Sequence, residues 1–321
     1  MWIVTGGAGF IGSNLIQALN RRGHTEILVV DRQNKNFGNL ADLRFADLLQ
    51  PEELLQALGR KSLPDGIEVI LHQGACADTT CMDERFMMEN NVSFSKAVLH
   101  FAIEKKIPLV YASSAAVYGA NHNFRESPKN EAPLNLYGQS KLIFDNHVRL
   151  ILPSISSPVA GLRYFNVYGP RETHKGRMAS MIYQLYGQLR RDGQARLFEG
   201  SGGFAAGEQR RDFVSVSDVI DVNLYFASGP VRKGIFNVGT GQARTFNEVV
   251  KQLTHALGKG SVKYIPFPEG LREKYQSHTQ ADIAALRAAG YANTFASLED
   301  GIARAAQAWQ NESPLPANLL Q

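Results

Sequence analysis

Residues 3–14 read Ile3-Val4-Thr5-Gly6-Gly7-Ala8-Gly9-Phe10-Ile11-Gly12-Ser13-Asn14, and the change of period within them decides the fold. Trp2-Ile3-Val4 is a short apolar run rich in β-branched residues, the pattern of a buried strand. Glycines 6, 7, 9 and 12 predict a tight turn, and from Phe10 onward Ile11, Leu15, Ile16 and Leu19 recur at helical spacing. Strand, glycine turn and helix N-terminus together make a phosphate cradle. Missing Cβ atoms let the backbone approach a pyrophosphate, and the first-turn N–H groups and helix dipole favour the anion. Glycines also sit in ordinary turns, so the context matters. A second strand, Glu26 to Val30, ends in Asp31, nineteen positions after Gly12, where a carboxylate can reach an adenosine ribose. Gly6, Gly9, Phe10, Ile11, Gly12 and Asp31 are therefore expected to hold a dinucleotide.

Strand and helix keep alternating downstream. Residues 43–48 and Ile67–His72 read as strands, and Pro51–Leu58 and Glu84–Lys105 as helices. Pro108–Ser113 and Val159–Phe165 read as further strands on either side of the helix Tyr137–Leu150. Such alternation predicts a Rossmann-type, doubly wound parallel sheet, an α/β fold whose ligands lie beyond the carboxyl ends of the strands. Asp47, Gln73 to Ala77, Ser114 and Asn166 are then candidate ligand-facing positions. After Asn166 the rhythm changes. Helix, short strand and a glycine-rich run from Gly200 to Gly207 follow, and the plainest reading of that run is a flexible linker. Residues 213–225 and 234–238 look like a return to the sheet. The expected division is a nucleotide-binding domain of residues 1–168 and 211–240, with a smaller mixed α/β substrate domain of residues 169–210 and 241–321.

The 321 residues can bury a sizeable core, and 44% hydrophobic with 20% charged residues is ordinary globular composition. A net charge of +4 without a lysine/arginine stripe argues against nucleic acid and fits an anionic small molecule. Two cysteines, Cys76 and Cys81, are too few for a disulfide framework, and no Cys/His set has metal-site spacing. The chain runs directly into its first strand and has no bilayer-length apolar run, so a cytoplasmic protein without a membrane partner is expected.

Tyr137-Gly138-Gln139-Ser140-Lys141 supplies the chemistry. Helical spacing stands Tyr137 and Lys141 one turn apart on one face, where an ammonium would stabilise phenolate and lower the phenol's pKa. Tyr-x-x-x-Lys also describes an ordinary surface pair. Ser114, just past an apolar strand, adds a hydroxyl able to bond a substrate alcohol and share its proton with Tyr137.

In these residues the chain resembles the extended short-chain dehydrogenase/reductase family of nucleotide-sugar enzymes. The resemblance rests on residues 6–12, Ser114 to Gly119, Tyr137 to Lys141 and Arg163 to Pro170, and it spans nearly the whole chain. It narrows at residues 73–76, 87–91, 174–180, 197–201 and 211–213, and nearer the C-terminus at residues 274–276, to the branch acting on an ADP-linked heptose. The resemblance implies an NADP cofactor touched by Phe10, Ile11, Asp31, Arg32, Gln73, Gly74, Ala75, Cys76, Ala77, Asn90, Lys141, Lys175 and Val167. Either Lys35 or the neighbouring Asn36 stands where a phosphate-binding lysine is expected. It implies substrate contacts at Ser114, Asn166, Arg177, Phe198, Glu199, Gly200, Ser201, Arg211 and Tyr275, with Gln184 where a histidine often stands. Lys175 takes the place of a second acid/base group beside Tyr137, Ser114 and Lys141. An epimerase serving lipopolysaccharide heptose supply, assembled as a homo-oligomer, is the implied protein.

Three other readings share the scaffold. A UDP-hexose 4-epimerase uses the same Ser, Tyr and Lys and differs only in its substrate domain. A 4,6-dehydratase needs acidic residues where Ala115 and Ala116 stand. A non-catalytic NADP-binding regulatory protein has no need of Ser114, Tyr137 and Lys141 together.

Overall fold

The computed structural model describes residues 1–32, 37–230, 232–270, 272 and 275–312. In chain order its elements are β1 (Trp2–Thr5), α1 (Phe10–Arg21), β2 (Ile27–Val30), β3 (Asp47–Leu49), α2 (Pro51–Arg60), β4 (Val69–His72) and α3 (Glu84–Met88). A π-helical turn (Glu89–Ser93) leads into α4 (Phe94–Lys105), β5 (Leu109–Ser114), α5 (Leu136–Ile151), β6 (Val159–Tyr164) and β7 (Asn166–Tyr168). Then come α6 (Met181–Asp192), β8 (Gln194–Phe198), β9 (Arg210–Ser215), α7 (Val216–Ala227), β10 (Gly234–Val238) and β11 (Ala243–Thr245). The chain finishes with α8 (Phe246–Leu257), β12 (Ser261–Ile265), α9 (Ala284–Ala288) and α10 (Leu298–Asn311).

Two compact units result. The first holds residues 1–164, 219–238 and 284–291. Its seven strands are parallel in the order β10-β6-β5-β4-β1-β2-β3. The strand order reverses between β1 and β4, which is where ligands of doubly wound sheets sit. Sequence dictates this burial. β1, β2 and β4 are fully buried four-residue strands, and one core cluster joins Ile3, Leu28, Val30 and Ile70 to Leu99, Phe144 and Val148. Three buried polar side chains in this layer are linked: Thr5 Oγ1 and His72 Nδ1 lie 2.6 Å apart, and His72 Nε2 is 2.8 Å from Ser95 Oγ. Burial pushes His72 down to about 3, so the ring stays neutral.

The second unit holds residues 165–218, 239–283 and the segment from Ala292 onward. It carries a three-stranded sheet, β11-β9-β7, and a two-stranded parallel pair, β12-β8. Its core gathers Tyr183, Leu189, Phe213, Leu253, Ile302 and Trp309.

Two expectations about the chain's layout need correction. β9 does not return to the main sheet; it pairs with β7 and β11, and only β10 from that stretch joins β6. The backbone therefore leaves the first unit after Tyr164 and re-enters at Val219, and residues 284–291 also belong to it, anchored by the Tyr225 hydroxyl on Ala289 O at 2.8 Å. The long helix expected over Glu84–Lys105 does form, with a π turn at Glu89–Ser93 inside it. The Gly200–Gly207 run is a pinned loop rather than a linker, since Phe204 N–H donates to Ser201 O and Gly207 N–H to Phe198 O, each at 3.0 Å.

Candidate active site

In the first unit, the glycine turn is shaped by contacts that only hydrogen permits. A Cβ on Gly6, which has φ +65°, would lie 2.7 Å from Gly74 N, and one on Gly12 would lie 2.0 Å from Gly6 O. Gly9 is the N-cap of α1, no side chain caps the helix start, and its first turn carries no acidic residue. This cradle of backbone N–H groups fits a pyrophosphate. Gly74 N–H donates to Thr5 Oγ1 at 3.0 Å and Gln73 N–H to Thr5 O at 3.1 Å, so the segment after β4 lies against the end of β1. Gln73 bonds Tyr164 and Asn223 through its amide. Cys76 is held by Asn91 in both directions, N–H to Oδ1 at 2.7 Å and carbonyl from Nδ2 at 2.9 Å. Ala75 and Ala77 flank it on the same stretch.

Asp31 follows β2, as expected of a ribose-binding carboxylate. Its Oδ2 accepts the Ala8 N–H at 2.8 Å and its Oδ1 the Arg32 N–H at 2.7 Å, and burial raises its pKa. Arg32 reaches Asn90 Oδ1 and Glu52 Oε1, both at 2.9 Å. Lys35 and Asn36 lie outside the described residues. Asp47 is a correction. It opens β3 instead of following it, stands level with Leu28 in the register, and spends its carboxylate on the Leu48 N–H at 2.8 Å. The strand starts later than its apolar pattern suggests, so the residue lies at the amino end.

Ser114 ends β5, and Tyr137 and Lys141 lie on α5. The helix begins there because Asn135 caps it, accepting the Gly138 N–H at 2.8 Å. Ser114 Oγ accepts the Ala116 N–H at 3.1 Å, which leaves its own O–H as a donor on the side of the Tyr137 phenol. Here the electrostatics differ from expectation. Lys141 donates to Ala112 O at 2.8 Å, and its ammonium lies 5.9 Å from the Tyr137 ring centre. Burial raises the phenol's pKa, and the Ser114 bond is what opposes it. Burial lowers Lys141 to about 8, with Asp145 resisting. Ser114 is thus the neighbour that opposes the rise of the phenol's pKa. Ser113 is structural, donating to Asp145 Oδ2 at 2.9 Å.

The second unit collects the candidate substrate residues. Asn166 and Val167 are on β7, and Asn166 Oδ1 accepts from the Thr279 hydroxyl at 3.4 Å. Phe198, Phe267 and Tyr275 form an aromatic cluster. Phe198 stacks on Phe267 at 4.5 Å and meets Tyr275 edge-on at 5.8 Å. Arg211 lies 5.0 Å over the Tyr275 ring, and burial lowers its pKa. Glu199 is fixed through its carbonyl by Gln209 at 2.7 Å, Gly200 O accepts from Arg272 at 3.1 Å, and Ser201 Oγ lies 3.2 Å from Ser277 Oγ. Phe267 and Arg272 carry no motif in the sequence; only the folded register of β12 against β8 brings them in. Lys175 and Arg177 sit on a short 3₁₀ segment, Thr173–Met178. Lys175 is largely desolvated, which lowers its pKa, and Glu172 opposes the drop. Gln184 turns its amide to the backbone, donating to Arg177 O at 3.1 Å and Ala179 O at 2.8 Å. Among the described residues no group of three or more His, Cys, Asp or Glu could hold a metal, and no helix is long and apolar enough to cross a membrane.

A dinucleotide cradle at the sheet's switch point, with a Ser–Tyr–Lys set at the end of β5 and on α5, defines a nicotinamide-dependent sugar-modifying scaffold. Residues 2–239 match the NAD dependent epimerase/dehydratase family, and the chain belongs to it. More particularly, the chain is 52% identical over 318 residues to an ADP-L-glycero-D-manno-heptose-6-epimerase of Pseudomonas aeruginosa, covering 94% of this chain and 96% of that one. The enzyme of the same name from Helicobacter pylori superposes with a TM-score of 0.84 at 34% identity, covering 97% and 96% of the two chains. A UDP-N-acetylglucosamine 4-epimerase from Methanobrevibacter ruminantium has a TM-score of 0.82 at 25% identity, covering 96% and 97%. The family resemblance carried by the motifs is borne out.

Proposed function

We propose that this chain inverts C6″ of ADP-D-glycero-D-manno-heptose, giving the L-glycero epimer for lipopolysaccharide core synthesis in the cytoplasm. The observation that carries this reading is the 52% identity across 94% of the chain with an enzyme of that name. The UDP-sugar epimerase shares the scaffold at half that identity. When bound, the nicotinamide supplies a reversible hydride acceptor. Tyr137 takes the C6″ hydroxyl proton, with Ser114 bonding the phenol and orienting the alcohol. Lys141 and the backbone of residues 6–12 hold the dinucleotide. Inversion needs the carbonyl carbon to offer both faces, so its oxygen meets different surroundings in the second half-reaction; Lys175 serves as the acid/base group there. Arg211 pairs with the substrate diphosphate, and Tyr275 and Phe198 pack the sugar nucleotide.

The cofactor in this reading is NADP. Asp31 alone would favour a free ribose hydroxyl, but Arg32 directly after it supplies a cation for a 2′-phosphate. Incubation of the purified protein with ADP-D-glycero-D-manno-heptose, followed by chromatography, tests the reaction; absence of the L-glycero epimer refutes it. Denaturing the protein and identifying the released nucleotide tests the cofactor.

A further inference from the structure

One carboxylate ties together both ends of the loop that carries Lys175. Glu172 is fully buried. Its Oε1 accepts the Gly169 N–H at 3.1 Å and the Ser180 hydroxyl at 2.9 Å, and its Oε2 accepts the Ser180 N–H at 2.6 Å. The two tied residues stand at the end of β7 and at the N-cap of α6. Inside the clamp, Lys175 N–H donates to the Glu172 carbonyl at 3.0 Å, so the lysine is carried on one turn that begins at the clamp. Outside it, the Trp309 indole donates to Gly169 O at 3.1 Å and Gln184 braces residues 177 and 179.

A loop brace needs no charge. Burying a carboxylate is costly unless donors and a counter-charge offset it, and an amide at this position would turn its own N–H groups toward other donors. The counter-charge is on the same turn. Lys175 and Glu172 act on each other electrostatically, and burial pushes both toward neutrality, Glu172 up to about 7 and Lys175 down. The other titratable groups around them are His174, held down at about 4 by burial and by Lys175, and Tyr183 and Glu312, both raised by burial. Arg171 is paired through its backbone with Glu312.

We propose that Glu172 is a positioning residue for Lys175, its carboxylate both closing the loop that presents the lysine and supplying the negative charge that balances its ammonium. The proposal rests on the reading of Lys175 as the second acid/base group. It places no demand on Glu172 to touch substrate. Without the carboxylate, Lys175 becomes easier to deprotonate and its turn loses one or more of its ties.

Two readouts test this on the full-length protein. Competitive acetylation with acetic anhydride across a pH series, read by mass spectrometry on the Lys175 peptide, reports the lysine's titration midpoint without using activity. Glu172→Gln should move that midpoint to lower pH by about one unit, a tenfold change in the charged-to-neutral ratio, and should lower kcat about tenfold or more while KM changes little. Glu172→Asp, which keeps the charge but retracts it by one methylene, should fall between parent and Glu172→Gln in both. If Glu172→Gln does not fold, Glu172→Asp alone decides, because its midpoint must still move. An unmoved midpoint in the folded variant overturns the proposal and leaves Glu172 a loop brace. Lys175→Met separates the two ideas: epimerisation at the parent rate removes Lys175 from the chemistry, whereas loss of turnover there with parental kcat and midpoint in Glu172→Gln defeats only the positioning role.

Discussion

Replacing Asp145 by Asn should cost both stability and the alkaline end of activity. Asp145 is fully buried. It accepts the Tyr111 hydroxyl, the Ser113 hydroxyl and the Arg163 Nε–H, each at 2.9 Å, and pairs with Arg163 Nη2 at 2.9 Å. The amide keeps the volume but removes the charge facing a fully buried guanidinium. Breaking a buried pair from one side costs about 3–5 kcal/mol. Arg163 keeps Glu131 as a partner at 2.7 Å, so the lower end, about 3 kcal/mol, applies. For units of this size that is about 6–12 °C in melting temperature. Asp145 is also the charge that resists the fall of Lys141 to about 8. Its removal lowers Lys141 further, and the ammonium is lost as pH rises through that lower value. The alkaline limb of the kcat profile should therefore move to lower pH. Scanning calorimetry and a pH–rate series check the two effects. A melting temperature within about 2 °C of the parent, well inside the scale above, would show that the cluster carries little. The double variant with Arg163→Met should lose less than the sum of the singles, because the second change removes the charge the first left unpaired.

Three further outcomes follow from the site. Tyr137→Phe should cut turnover by about a hundredfold or more while keeping the bound nucleotide; near-parental turnover would remove the phenol from proton transfer. Gly12→Ala places a methyl 2.0 Å from Gly6 O and should yield folded protein without nucleotide, read by absorbance of the denatured supernatant. Arg32→Ala, which frees Glu52 and Asn90 from their guanidinium, should weaken NADP at least tenfold more than NAD by titration calorimetry, roughly the worth of one charge-assisted contact; equal weakening would argue against a 2′-phosphate at this position.

The parts legible in the sequence are those set by local geometry. The Gly6–Gly12 turn can be read because no other residue fits its close approaches, and Tyr137 with Lys141 because helical spacing alone puts them on one face. Where the Lys141 ammonium goes depends on the carbonyl of Ala112 on a neighbouring strand, and no local pattern encodes that. Asp145 was in reach of the same spacing argument, four residues beyond Lys141, yet its importance comes from Arg163 on β6. β9 looked like a main-sheet strand because pairing partners leave little trace in a single strand's composition. Phe267 gave no signal, since an aromatic residue before a proline is ordinary until Phe198 and Tyr275 are seen around it.

The π turn at Glu89–Ser93 acts as a phase shift in an otherwise continuous helical rod. A wider turn holds one residue more than the α-helical repeat, so every later side chain is rotated by about 100° from its ideal azimuth. Within the turn, consecutive amides are divided between tasks: Asn90 serves Arg32, while Asn91 grips the Cys76 backbone and donates to Ser140 Oγ at 3.0 Å. Downstream, Phe94, Val98, Leu99 and Ala102 come round to the buried side. Deleting a single residue from this turn would leave a perfectly good helix by propensity. It would also swing that apolar stripe away from the core, so the chain tolerates substitution here far better than a change of length.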